Sequence, residues 1–177
     1  MPRAEQPRVL IAGGNKTYLS VMARRIAEAG YRVTAAESGA SAVAELHRAP
    51  TDLVIAELAM PRMSGADLAR LIRDEAAWRD LPVMLIAGRS DPAAAVKAYE
   101  SGADDVILKP FDSDVLIARI GRRIAAARSI QALRNDNAAL DARIVTKAIE
   151  LGELRARLRD TEAERLRLER AARLSAA

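Results

Sequence analysis

Five short apolar runs, each followed by a stretch with helical spacing, restrict what this chain can fold into more than any other feature. The runs lie at residues 8–12 (RVLIA), 31–36 (YRVTAA), 53–58 (LVIAEL), 82–87 (PVMLIA) and 106–108 (VIL). Each has Gly, Pro or Asp on at least one side and is too short for a buried helix, so each reads as a strand covered on both faces. Between them, apolar residues recur at helical intervals. Leu19, Met22, Ile26 and Ala29 follow a capping stretch at residues 15–17 and stop at Gly30. Ala42, Val43 and Leu46 follow Ser38-Gly39 and stop before Pro50, and Leu68, Leu71 and Ile72 mark a third helix over residues 65–76. Asp91-Pro92 places a capping acid before a helix-starting proline, with Gly102 as the stop. A fifth helix starts at residues 112–114. Strands alternating with helices in this way predict an α/β fold, a doubly wound five-stranded parallel sheet with right-handed crossovers.

Within that fold, residues 52–65 (DLVIAELAMPRMSG) stand out: a buried strand delivers one carboxylate, Glu57, into a loop that leads through Met60, Pro61 and Gly65 into a helix. Open α/β sheets place their ligand chemistry at such strand ends. The first strand ends on Gly13-Gly14, and GGNKT has a faint phosphate-loop look. It lacks the second spaced glycine and the Gly-Lys-Ser/Thr ending, so a tight turn is the preferred reading. His47 is the single histidine, without metal partners nearby in sequence, and is expected at the surface. Trp78 is expected to cap the edge of the core, and Arg89, Ser90 and Asp91 form a loop beside the strand ends.

Composition narrows the class. Half of the residues are hydrophobic but only 3% are aromatic, so the core must be built from Ala, Val, Leu and Ile. The absence of cysteine excludes disulfides and thiolate metal sites. The first residues lack the apolar run of a signal peptide, and no apolar run is long enough to span a bilayer, so a cytoplasmic protein without membrane contact is expected. Residues 1–112 hold 14 Lys/Arg against 15 Asp/Glu, whereas residues 113–177 hold 14 against 9. The basic excess lies in the C-terminal third, where a solvated helix face is the simplest reading.

From residue 115 onward there is neither proline nor strand signal. An early stripe, Ile117, Ile120 and Ile124, belongs to a helix packing on the sheet. Beyond a register change expected at residues 125–129, a heptad takes over, with Ile130, Asn137, Ile144, Leu151 and Leu158 at position a and Leu133, Leu140 and Leu154 at position d. Lys147 at d is the main flaw. The pattern predicts a coiled coil, and Asn137 at an a position favours a parallel, in-register homodimer. The flanking charges do not decide the pairing: Glu150 would face Arg155, but Asp136 would face Asp141. The expected division is residues 1–127 for the α/β domain and 128–177 for the coiled-coil helix.

Taken together, DLVIAELAMPRMSG, LPVMLIA and SGADDVILKPF with its Lys-Pro resemble the receiver domain of two-component response regulators over residues 7–127. The resemblance implies a flavodoxin-like fold and, in an intact member, transfer of a phosphoryl group from a histidine kinase to an aspartate. It also implies an acidic pair after the first strand for Mg²⁺, a Thr or Ser after the fourth strand, an aromatic switch residue on the fifth and a Lys after it. At the matching positions this chain has Gly13 and Gly14 for the acidic pair, Glu57 for the acceptor, Ala87 for the hydroxyl and Val106 for the aromatic. Lys109, with Pro110, alone matches. Mg²⁺ needs oxygen ligands in near-octahedral geometry, and phosphoryl transfer rests on positioning and charge neutralisation. The substitutions therefore imply a degenerate pseudo-receiver with no enzyme activity, no metal and no cofactor, in which Glu57 is a remnant or a partial charge mimic paired with Lys109.

Three functional classes compete. The favoured one is a phosphorylation-independent adaptor of the response-regulator type that dimerises through its C-terminal helix and docks a protein partner in a signalling pathway. By analogy with the family, the docking face would lie at residues 93–127. A regulator acting in trans on a histidine kinase or cyclase is an alternative, as is a DNA-associated response regulator using the basic helix. Arg155, Arg157, Arg159, Arg165, Arg167, Arg170 and Arg173 alternate with Asp160, Glu162, Glu164 and Glu169, which argues against a nucleic-acid stripe.

Overall fold

β-Strands form where the apolar runs lie, with ends shifted by a residue or less. The structure is a computed structural model describing residues 6–88 and 92–175. Its elements are β1 (Arg8–Ala12), α1 (Lys16–Glu28), β2 (Arg32–Ala36), α2 (Gly39–Arg48), β3 (Leu53–Glu57), α3 (Gly65–Asp74), β4 (Val83–Ala87), α4 (Pro92–Glu100), β5 (Asp105–Leu108) and α5 (Ser113–Ser175). The predicted strand–helix alternation is therefore present in full. Arg89, Ser90 and the capping acid Asp91 lie outside the described residues.

All pairings are parallel and the strand order is β2-β1-β3-β4-β5, the flavodoxin-like arrangement. The order reverses between β1 and β3, which pair from Val9↔Leu53 to Ala12↔Ala56. The chain ends of these two strands, Gly13 and Glu57, therefore flank the switch point where such sheets bind ligands.

Alternation along the strands divides the core into two layers. Leu10, Val54, Leu85 and Val106 face α2, α3 and α4, where they meet Leu46, Leu68, Ile72 and Ala98. Val9, Ile11, Ile55, Met84 and Ile107 face α1 and the start of α5, where they meet Leu19, Ile26, Ile120 and Ile124. The buried residue that completes the α5 stripe is Leu116, with Ile117 only partly covered. Residues 116 and 117 are both large and apolar, so spacing alone does not choose between them; packing on the sheet does. Caps form at Asn15 and Ser38, as the sequence suggested, and also at Ser64. Asn15 accepts the Tyr18 N–H at 3.0 Å, and Ser38–Ser41 and Ser64–Asp67 form reciprocal capping boxes.

The chain divides into two compact units, residues 1–129 and 130–177, with α5 contributing to both. In the first unit, Asp105 of β5 pairs with Arg119 and Arg123, and Asp52 pairs with Arg128. These contacts take up much of the basic excess of the C-terminal third. The second unit holds ten Lys/Arg and eight Asp/Glu, and is helical throughout its described residues with no break at Lys147 or Gly152. Ile130, Leu133, Leu140, Ile144, Leu151, Leu154 and Leu158 are each more than half exposed. Among the described residues, no helix is long and apolar enough to cross a membrane.

Candidate functional site

Three strand ends converge at the switch point, and each brings one participant. β3 ends on Glu57, whose backbone is fixed on both sides: it pairs with Ile86 of β4, and the next residue, Leu58, donates its N–H to the Ile86 carbonyl at 2.8 Å and accepts from the Gly65 N–H at 3.0 Å. A β-carbon at position 65 would sit 2.5 Å from the Glu57 carbonyl oxygen. Glycine is thus required where α3 begins, because backbone approaches backbone there. With the main chain fixed, the Glu57 side chain reaches across to the loops after β1 and β5. Its Oε2 accepts the Gly14 N–H at 3.0 Å, and its Oε1 accepts from the Lys109 Nζ at 2.5 Å. Only 12% of the Glu57 side chain is exposed, against 37% for Lys109, so the pair is drawn in from bulk water and screened less than a surface ion pair.

Lys109 is held in turn. Its backbone N–H donates to the Ala87 carbonyl at 2.9 Å, and the peptide bond to Pro110 is cis. Its ammonium lies 3.9 Å from the centroid of the Tyr18 ring, a cation–π contact. Burial pushes the Tyr18 phenol from an ordinary 10.0 to about 12, with the Glu57 carboxylate adding to the effect. No sequence signal marks Tyr18. In the first turn of α1 it reads as ordinary helix surface, and only the loop path from β1 brings it under the lysine that follows edge strand β5.

Gly13 sits directly against the acid. Its N–H donates to the Ala36 carbonyl at 3.1 Å, and a β-carbon on it would lie 2.6 Å from Glu57 Oε2, 3.0 Å from Cδ and 3.1 Å from Cγ. The phosphate-loop reading of GGNKT has no support here. Both glycine N–H groups are spent inside the protein, and Lys16 pairs with Glu37 at 2.9 Å.

The residues do not fit a divalent cation. Positions 13 and 14 offer no side-chain oxygen, both Glu57 oxygens are engaged, and a side chain at 13 would overlap the space that carboxylate fills. Among the described residues, no group of three or more His, Asp or Glu could hold a metal ion.

The structure thus brings Gly13, Gly14, Glu57 and Lys109 together, with Ala87 joined through its carbonyl. Ala87 and Val106 are both buried among apolar residues of the layer facing α2, α3 and α4, so Val106 takes no part in the polar cluster. The Glu57–Lys109 pair borders a cleft of about 430 Å³ floored by Ile86, Gly88 and Ala94. His47 is exposed, its ring meeting Trp78 edge-on at 4.6 Å, and Trp78 packs partly buried against the core.

Residues 9–121 match the sequence profile of the response regulator receiver domain. The sensor histidine kinase TmoS of Ectopseudomonas mendocina is 33% identical over 134 residues, which are 76% of this chain and 14% of that protein. The transcriptional regulatory protein KdpE of Mycobacterium tuberculosis is 33% identical over 126 residues, 70% of this chain and 54% of its own length. The chain therefore spans about half or less of these relatives. The receiver domain of a signal transduction histidine kinase from Syntrophus aciditrophicus superposes with a TM-score of 0.64 at 32% identity, covering 68% of this chain and 91% of that one.

Proposed function

The chain belongs to the response regulator receiver domain family, and from that premise we propose that residues 1–127 form a pseudo-receiver that signals without phosphorylation. The observation that carries this reading is the state of Glu57. Both of its oxygens are held by groups of the protein itself, beside two glycines that supply no metal ligand. A phosphoryl acceptor needs a free oxygen aimed at the donor and a cation to offset the developing charge; neither requirement is met by this set of side chains. Ala87 cannot hydrogen-bond to a charge at position 57, and Val106 is fixed in an apolar layer, so a read-out of Glu57 through those two positions has no chemical basis. The output then rests on surfaces, and the protein is a non-catalytic adaptor of two-component signalling.

Residues 128–177 supply the second half of the proposal, a homodimer formed through the C-terminal helix. The support is the row of exposed apolar side chains at heptad spacing from Ile130 to Leu158, interrupted by Asn137 and Lys147. The dimer displays two receiver-type surfaces to a protein partner.

The test is direct. The full chain is incubated with Mg²⁺ and acetyl phosphate, and separately with a phosphorylated histidine kinase, and its intact mass is recorded. The expected result is no phosphoryl adduct; an adduct on Glu57 overturns the pseudo-receiver reading. Light scattering on the same sample and on residues 1–128 is expected to give a dimer and a monomer. A monomeric full chain overturns the dimer.

A further inference from the structure

The contact between Gly13 and Glu57 goes beyond the loss of a metal ligand. A residue without a side chain and a carboxylate one methylene longer than aspartate meet closely: the absent β-carbon of Gly13 would lie within 3.1 Å of three consecutive Glu57 side-chain atoms. Unstrained carbon–carbon contacts are about 3.5–4.0 Å. Neither backbone is free to yield. Gly13 is tied to Ala36 of β2 by its N–H, and Glu57 is locked between β4 and the start of α3. The Glu57 side chain is the part that must move if position 13 grows, and its shift disturbs the bonds to the Gly14 N–H, the Lys109 ammonium or both.

We infer that Gly13 is the positioning residue for Glu57, forming a socket from which the carboxylate bridges the β1–α1 loop and the β5–α5 loop as a metal-free clamp. The electrostatics are consistent with this role. One carboxylate answers one ammonium and one N–H dipole across the switch point, so the pocket is neutral without a bound ion. A second carboxylate at 13 would displace Glu57 and leave unbalanced negative charge. Gly13→Asp alone therefore does not rebuild a cation site in this chain. The inference builds on the metal-free reading of the site, and the adduct measurement above decides that reading separately.

Gly13 is not in the left-handed region, so alanine there meets no backbone penalty and, by restricting the unfolded chain, would ordinarily stabilise. This gives a test in which the sign changes. In the full-length protein, Gly13→Ala is expected to lower the urea midpoint; in a Glu57→Ala background the same substitution is expected to raise it. The Gly14 amide proton, hydrogen-bonded to a carboxylate in the parent, is expected to shift upfield in Gly13→Ala in the same direction as in Glu57→Ala. Gly14→Ala is the control, because its β-carbon would meet only Pro61 at 3.4 Å and 3.9 Å. Its effect is expected to keep one sign in both backgrounds. A Gly13→Ala effect of equal size and sign in both backgrounds, or an unmoved Gly14 resonance, overturns the pairing. Should Gly13→Ala give no folded protein, recovery on adding Glu57→Ala supports the socket, and failure of that rescue overturns it.

Discussion

At the scale of single residues, Lys109 and Tyr18 make measurable commitments. Removing the ammonium while keeping the stem, as in Lys109→Met, leaves Glu57 with the Gly14 N–H as its remaining hydrogen bond. Stranding a partly buried carboxylate costs about 1–3 kcal/mol, so the variant is expected to lose that much in urea unfolding. Tyr18 makes a pH prediction. Its folded-state value of about 12 lies above its ordinary 10.0, so the folded protein holds the phenol proton more tightly than the unfolded chain. That contribution is complete below pH 10 and is lost as pH rises towards 12. A Tyr18→Phe variant is expected to lack this part of the alkaline fall in stability, and Glu57→Gln to lower the tyrosinate transition read by ultraviolet absorbance, leaving the larger burial effect in place. The sequence made Glu57 and Lys109 legible because each closes a strand in a characteristic string. Tyr18 and the fit of Gly13 against Glu57 were not legible, since both arise only when loops from β1, β3 and β5 meet.

At the scale of elements, the strands and most helix starts could be read because short apolar runs and capping residues are local signals. The buried face of α5 could not be fully read: Leu116 and Ile117 offer adjacent apolar choices, and packing on the sheet selects the first. The start of α3 carries a full capping box. Ser64 accepts the Asp67 N–H at 3.1 Å, while the Asp67 carboxylate accepts from both the Ser64 hydroxyl and its N–H. Those bonds, the hydroxyl one foremost, together with Arg70, hold the Asp67 carboxyl below its usual range. Its contribution is therefore present above the ordinary carboxylate value and is lost as pH falls through the lowered one. Ser64→Ala is expected to cost about 1 kcal/mol, with a smaller loss in acid where Asp67 is already protonated. In the second unit, a β-carbon at Gly152 would meet nothing within 4 Å. Gly152→Ala is expected to stabilise the helix by roughly 1 kcal/mol, read as a higher melting temperature by far-ultraviolet circular dichroism.

At the scale of the whole molecule, Asn137 governs the proposed assembly. A polar residue at a single a position lowers stability while fixing register and strand number. Asn137→Ile is expected to raise the melting temperature of the coiled coil and to broaden the mass distribution in light scattering beyond the dimer. A parent protein that is monomeric at all concentrations would remove the basis for that expectation. Trp78, wedged at the core edge beside His47, carries a consequence for observing these events. It is the single tryptophan, and no Tyr or Phe lies beyond residue 129, so every aromatic chromophore belongs to the first unit. Indole emission and near-ultraviolet dichroism therefore report on the receiver unit, while the 222 nm signal also carries the helix of the second unit. Two optical transitions that fail to coincide on heating would show the units melting as separate cooperative bodies, in one sample and without a label.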